Sequence, residues 1–206
     1  VVPPGDFLPL AEKLELMDDL TELVFELGMA QLKQWQGQGL DTTLALNLSA
    51  VNLQRADFTD RLTQRARECG IKPDHLIIEL TETAAMADPI KAMDILARLR
   101  LRGFRLSIDD FGTGYSSLVQ LQRLPFSELK IDRALLADCE TSKQSKVIVK
   151  TAIDLAQNLG MVACAEGIET AAALKVVRDF GCDLAQGFHI ARPMPAEQAE
   201  AWLKDE

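Results

Sequence analysis

The residues best placed to do chemistry lie in one stretch, Arg105-Leu106-Ser107-Ile108-Asp109-Asp110-Phe111-Gly112-Thr113-Gly114-Tyr115-Ser116-Ser117. Apolar residues at strand spacing lead into two adjacent carboxylates, and a loop with two glycines follows. Adjacent carboxylates repel one another unless something positive offsets them. A hard divalent cation with oxygen ligands would do so. Taken alone, the stretch reads at least as well as a turn, with Asp109 and Asp110 starting it and capping a helix from Ser116. The rest of the chain has to decide between the two.

Similar endings recur. The apolar run Thr43–Leu46 ends at Asn47, Leu76–Ile78 at Glu79, and Phe104–Ile108 at Asp109. Glu128-Leu129 leads into Lys130, Ile131 and Asp132; Met161–Ala165 ends at Glu166 and Cys182–Ala185 at Gln186. Between these runs the periodicity predicts helices over 57–68, 88–102, 116–122, 142–159, 171–180 and 196–203. Asp88-Pro89 opens one of them as cap and first residue, and Gly103, Gly160 and Gly181 close three. Ahead of the first run, 7–16 reads as a short helix or turn, and 18–36 as a helix ended by Gly37 and Gly39. Its expected packing face carries Leu20, Leu23, Val24, Leu27, Leu32 and Trp35, with Asp18 or Asp19 as its cap.

Alternation of strand and helix with short loops predicts an α/β protein with a parallel sheet. The continuously apolar strands imply two buried faces. A doubly wound sheet gathers function at one switch point; a (β/α)8 barrel aims every strand end at one site. Six strands that each deliver a polar residue favour the barrel. About six βα units are legible, so residues 1–206 are expected to form one barrel domain, N-terminally incomplete, whose first two strands lie before Val1.

In a barrel, Asn47, Glu79, Asp109, Asp110 and Glu166 converge as an all-oxygen set suited to Mg²⁺ or Mn²⁺. With Asp109 bridging, two ions would sit roughly 3.5–4 Å apart and activate water against a phosphate ester. Lys130 would lie close by, orienting the water or offsetting charge on phosphorus. Each residue has a plainer reading: Asn47 as a loop cap, Glu79 and Glu82 as partners of arginines, Lys130 as a solvated strand-end lysine, Glu166–Thr170 as a helix entry. Jointly, four carboxylates and one lysine carry an electrostatic cost that argues for a site. Gln186-Gly187-Phe188 offers an amide and an aromatic face to a nucleobase, although Phe188 by itself reads more simply as core. Arg192-Pro193 reads as a loop before the last helix.

Composition narrows the partners. A net charge of −9 repels nucleic-acid polymers, which need basic grooves. Aromatics at 5% leave little for a base-stacking platform. No apolar run is long enough to span a bilayer and no signal peptide opens the chain, so no direct membrane contact is expected. Cys69, Cys139, Cys164 and Cys182 form no CxxC pair and read as free thiols in a reducing, cytoplasmic setting. His75 and His189 are too isolated for a zinc-protease motif.

Several stretches together carry a family resemblance: Pro3-Pro4-Gly5-Asp6-Phe7-Leu8-Pro9-Leu10-Ala11-Glu12, Asn47-Leu48-Ser49-Ala50, Glu79-Leu80-Thr81-Glu82, Asp109 to Ser117, Lys130-Ile131-Asp132-Arg133, Ala165-Glu166-Gly167-Ile168-Glu169-Thr170 and Gln186-Gly187-Phe188. The chain resembles the EAL domain family of bacterial cyclic-di-GMP phosphodiesterases. That resemblance implies an EAL-type modified TIM barrel whose first strand is antiparallel. It implies Asn47, Glu79, Asp109, Asp110 and Glu166 as ligands of two Mg²⁺ or Mn²⁺ ions, and Lys130, Asp110 and Glu166 as catalytic. It implies Lys130, Gly167, Glu169, Gln186, Phe188 and Pro193 as substrate contacts, with Glu82 and Asp132 supporting the Asp110–Ser117 loop. In the family that loop lies near a homodimer contact and transmits regulation, an upstream regulatory domain is expected, and the product is linear pGpG.

The chain departs from the family in places. The name-giving Glu-Ala-Leu motif, with a metal ligand and a phosphate-binding arginine, belongs to a strand upstream of Pro3-Pro4-Gly5. Asn52 stands where Gln is usual and Glu15 where Gly is usual. The alternative function is a catalytically inactive EAL domain that binds cyclic-di-GMP or a partner protein as a sensor. Outside the family, the alternative is another metal-dependent barrel enzyme acting on an enolate or a phosphorylated sugar.

Overall fold

The computed structural model describes residues 2–114 and 118–205. Two helices, α1 (Pro4–Lys13) and α2 (Met17–Gly37), precede six strands: β1 (Leu44–Asn47), β2 (Leu76–Thr81), β3 (Arg105–Phe111), β4 (Glu128–Ile131), β5 (Val162–Ala165) and β6 (Leu184–Ala185). Between them run α3 (Phe58–Cys69), α4 (Glu82–Ala87), α5 (Pro89–Leu101), α6 (Leu118–Arg123), α7 (Arg133–Leu136), α8 (Lys143–Asn158) and α9 (Ala171–Asp179). A last helix, α10 (Ala196–Asp205), follows β6. The strands pair in chain order, β1 to β6, and every pair is parallel. With no reversal of order there is no switch point. The sheet curls into a half-barrel, as the strand-end pattern predicts.

Alternation along the strands separates two faces. Outward-facing Leu76, Ile78, Leu80, Leu106, Ile108, Leu129, Ile131, Ala163 and Ala165 are fully buried under the helices. The helices answer with stripes at three- and four-residue spacing: Ala92, Ile95, Leu96 and Leu99 on α5, and Val149, Ala152, Ile153 and Ala156 on α8. Each fully buried Leu or Ile contributes about 1.5–3 kcal/mol. The inner face is different. Glu79, Ser107, Glu128 and Lys130 are buried there beside Ile77 and Cys164, so both faces of the central strands are buried as expected, but the strands are not continuously apolar: the inner face mixes charged and polar groups with apolar ones.

Four further expectations need correction. The packing face of α2 is Thr21, Phe25, Met29 and Leu32, while Leu23, Val24 and Leu27 are exposed. The helix carries two apolar stripes. Packing against β1 and α3, with Phe25 edge-on to Phe58 at 6.1 Å between ring centroids, selects the second. Neither Asp18 nor Asp19 caps α2: its cap position is Leu16, and the Asp18 carboxylate binds Asn52 and Arg55 instead. Strands β2 and β3 continue past Glu79 and Asp109, because pairing runs on to Thr81 against Asp109 on one side of β3 and to Phe111 against Ile131 on the other. Finally, β6 begins only at Leu184, since the Asp183 carboxylate accepts the Ala163 N–H at 2.8 Å. The helix expected from residue 116 is described from Leu118, and Tyr115-Ser116-Ser117 lie outside the described residues.

The loop after β1 is tied to α2 by Asn52, which is fully buried. Its Nδ2 donates to Asp18 Oδ1 at 2.8 Å, and its Oδ1 accepts from Thr21 Oγ1 and from the Ser49 backbone N–H, both at 3.1 Å. Replacing this amide leaves buried donors unanswered. Asn52→Ala is expected to lower unfolding stability by about 1–3 kcal/mol, read from the urea midpoint. An unchanged midpoint would show that the loop holds without it.

Candidate active site

Both carboxylates of Asp109-Asp110 reach the inner face because β3 carries a bulge. In the β3–β4 pairing, Ile108 opposes Leu129 and Phe111 opposes Ile131, so β3 spends one extra residue between them. Successive residues of a regular strand point to opposite faces; a bulge re-aims one of them. Asp110 absorbs the irregularity at φ +56°, a left-handed backbone that Asp tolerates better than most residues. One oxygen from each of Asp109, Asp110 and Glu166 then lies within 4.8 Å of the others.

Beneath them sits Lys130, on β4 and 5% exposed. Its Nζ is 2.8 Å from Glu79 Oε1, 2.7 Å from Glu166 Oε1 and 3.4 Å from Asp109 Oδ1. Burial by itself would lower this ammonium's pKa, but the hydrogen bonds it donates to Glu166 and Glu79 overcome that and push it up. Lys130 is therefore a fixed positive charge, neither a solvated strand-end lysine nor a base. One ammonium does not neutralise four carboxylates. Burial, aided by Asp109, pushes Glu79 up despite Lys130, and burial together with Asp109 pushes Asp110 up. Burial pushes Glu166 up to about 7 against the pull of Lys130, with Asp109 and Glu79 adding to the rise. A crowded, all-oxygen, under-neutralised cluster is the donor set a hard divalent cation takes.

Asn47 ends β1 opposite Glu79, exposed at the rim. Glu82, 2% exposed, opens α4 directly after β2, where Thr81 Oγ1 caps the helix by accepting the Ala84 N–H. The Glu82 carboxylate accepts the Gly112 N–H at 2.9 Å and so ties α4 to the loop after β3. Asp132 caps α7 through the Ala134 N–H at 2.8 Å. Sequence periodicity does not show α4 or α7, since both are shorter than two turns; the cap residues Thr81 and Asp132 were the available signal.

Next to the cluster opens a cavity of ≈ 320 Å³ lined by Asp110, Asp132, Arg133, Glu166, Gly167, Glu169, Gln186, Gly187 and Phe188. Gly187 is required at its base: a Cβ there would meet the Ile168 backbone N and O at 2.2 Å. That close approach lets the Ile168 N–H donate to Gln186 O at 3.0 Å and joins the loops after β5 and β6. Phe188 is 51% exposed, so it is not core, and the Arg192 guanidinium stands 4.7 Å from its ring centroid. Pro193 is exposed in the following loop and is not among the residues lining the cavity. Arg133 and Arg192 are not among the candidate site residues read from sequence, although Arg133 closes the Lys130-Ile131-Asp132-Arg133 motif and Arg192 precedes Pro193.

The EAL domain profile matches residues 1–193. The chain belongs to the EAL domain family. It is 41% identical over 199 residues to MucR of Pseudomonas aeruginosa, a bifunctional diguanylate cyclase/cyclic di-GMP phosphodiesterase, covering 96% of this chain and 29% of that protein. Identity to a second cyclic di-GMP phosphodiesterase of the same species is 36% over 203 residues, 98% of this chain and 35% of that protein. The EAL chain therefore spans about a third or less of these relatives' length. Among solved structures, the MucR phosphodiesterase in complex with c-di-GMP superposes with a TM-score of 0.91, covering 96% of this chain and 81% of that one. The EAL domain of Mycobacterium smegmatis DcpA superposes at 0.86 with 31% identity, covering 91% and 84%. In the described residues no helix is long and apolar enough to cross a membrane.

The raised Glu166 pKa carries a sign that can be checked. Between its ordinary 4.5 and about 7, the folded metal-free chain holds more protons than the unfolded one, so stability falls as pH rises across that window. A bound cation needs the carboxylates ionised and should reverse the trend. Melting curves in chelator are expected to show Tm declining from about pH 5 to about pH 7, with the Tm gain on adding Mn²⁺ growing over the same range. A Mn²⁺ gain that shrinks with pH would contradict this electrostatic picture.

Proposed function

We propose that the chain is a metal-dependent phosphodiesterase that opens one phosphodiester of cyclic-di-GMP to give linear pGpG. The observation that carries this reading is the Lys130-centred carboxylate cluster beside a cavity that ends in an exposed aromatic ring. Asn47, Glu79, Asp109, Asp110 and Glu166 would hold Mg²⁺ or Mn²⁺, which would supply an acidified water and counter-charge for the phosphate. Asp110 and Glu166 border the cavity, where a carboxylate can take the proton of the attacking water. Lys130 keeps its own proton, orients Glu79 and Glu166, and offsets negative charge as the P–O bond to the leaving hydroxyl breaks. Gln186 and Phe188 offer an amide and a ring face to one guanine, and Gly167, Glu169 and Pro193 complete the substrate contacts.

Regulation fits the same geometry. The loop after β3 carries Asp110 at one end and is gripped by Glu82, so a homodimer partner or a regulatory domain acting on that loop would shift a reacting carboxylate. The cellular setting we infer is the cytoplasm, where four free thiols persist.

Two variants test the reading in the native protein with Mg²⁺ or Mn²⁺. Asp109→Asn is expected to abolish pGpG formation; full turnover would remove Asp109 as a metal ligand. Lys130→Ala is expected to lower kcat far more than it weakens cyclic-di-GMP binding. Binding that falls as far as turnover would make Lys130 a substrate clamp instead. A native protein that binds cyclic-di-GMP and leaves it uncut would be a sensor.

A further inference from the structure

Charge around the cavity is lopsided. Asp110, Asp132, Glu166 and Glu169 line it, and Arg133 is the one cation among its described lining residues. Lys130 is committed to Glu79, Glu166 and Asp109. Arg192 stands over the Phe188 ring. Arg133 has four carboxylates around the same cavity and makes no ion pair with any of them among the described residues. Its backbone and Cβ are nonetheless fixed. Gly167 adopts φ +66°, and a Cβ on Gly167 would stand 2.5 Å from Arg133 Cβ, so the loop after β5 packs directly against the first residue of α7. An exposed guanidinium is thus held at the cavity wall by backbone packing, with its donors uncommitted among the described residues.

A cyclic dinucleotide carries two phosphodiester anions. The carboxylate cluster, through the cations it would hold, would take the one that is cut. The other must enter a cavity lined by acids, which repel it. We propose that Arg133 binds the phosphodiester that is not cut and positions the ring of the substrate. The planar fork of Arg suits two non-bridging phosphate oxygens. This assignment rests on the proposed cyclic-di-GMP hydrolysis and adds a residue that none of the sequence motifs picked out as a contact. Because that diester does not change in the reaction, Arg133 contributes equally to ground and transition states, and its loss should appear in KM.

The experiment compares native protein, Arg133→Ala and Arg133→Lys with Mn²⁺ on two substrates, cyclic-di-GMP and bis(p-nitrophenyl) phosphate, which has a single diester. For Arg133→Ala, KM for cyclic-di-GMP is expected to rise about ten- to a hundredfold, as for a lost charge-assisted hydrogen bond, with kcat within about threefold. Arg133→Lys should recover part of the affinity, and bis(p-nitrophenyl) phosphate should be hydrolysed equally by all three. That last readout separates binding from a structural role, since a disturbed cluster would slow both substrates. Unchanged KM in Arg133→Ala, a loss confined to kcat, or an equal loss on both substrates would overturn the assignment and leave the phosphodiesterase reading standing. A native protein that hydrolyses bis(p-nitrophenyl) phosphate but neither binds nor cuts cyclic-di-GMP would overturn both.

Discussion

A buried ammonium among carboxylates organises this molecule. Lys130 sits inside the curled sheet within 3.4 Å of carboxylate oxygens from three other strands or strand ends: Glu79, Asp109 and Glu166. An isolated buried ammonium would be costly, and so would each of its partners. Together they make a cross-strand knot that holds the inner face of the half-barrel, while the helices hold the outer face. The knot is incomplete by charge, and burial, with the repulsion of neighbouring carboxylates added to it, drives Glu166, Glu79 and Asp110 upward. The crowding that disfavours the bare fold is also the all-oxygen arrangement that a hard divalent cation takes.

Geometry makes the crowding possible. Two consecutive residues of a flat strand cannot both face inward. The bulge at Asp109-Asp110 and the left-handed backbone of Asp110 bring both carboxylates to the inner face. Backbone strain of this kind persists only where surroundings over-determine it. Here the register with β4, and the Glu82 carboxylate gripping Gly112, supply the restraint. Loop and cluster are therefore one mechanical unit.

The cavity beside the cluster follows from contacts between loops. Ile168 and Gly187 meet backbone to backbone, and Gly167 lets Arg133 approach. These contacts join three loops that follow β4, β5 and β6, so the cavity wall belongs to the scaffold and not to any single loop. Phe188 stays exposed on that wall with a cation over its ring, an arrangement that a buried aromatic would not need.

The sequence by itself determined the alternation of strands and helices, the barrel-type order, and which strand ends carry polar groups, because apolar periodicity and glycine stops are local signals. Motif identity along nearly the whole chain also sufficed for the family. Tertiary structure decided the rest. It chose Phe25, Met29 and Leu32 over Leu23, Val24 and Leu27 on α2, since two apolar stripes on one helix are equivalent until β1 and α3 pack against one of them. It turned Asp18 from a helix cap into a partner of Asn52, a contact across 34 residues that no local pattern encodes. It buried Lys130 as a fixed charge and left Arg133 without an ion pair at the cavity among the described residues, because the environment of a charge depends on which strands and loops stand beside it and not on its neighbours in the chain.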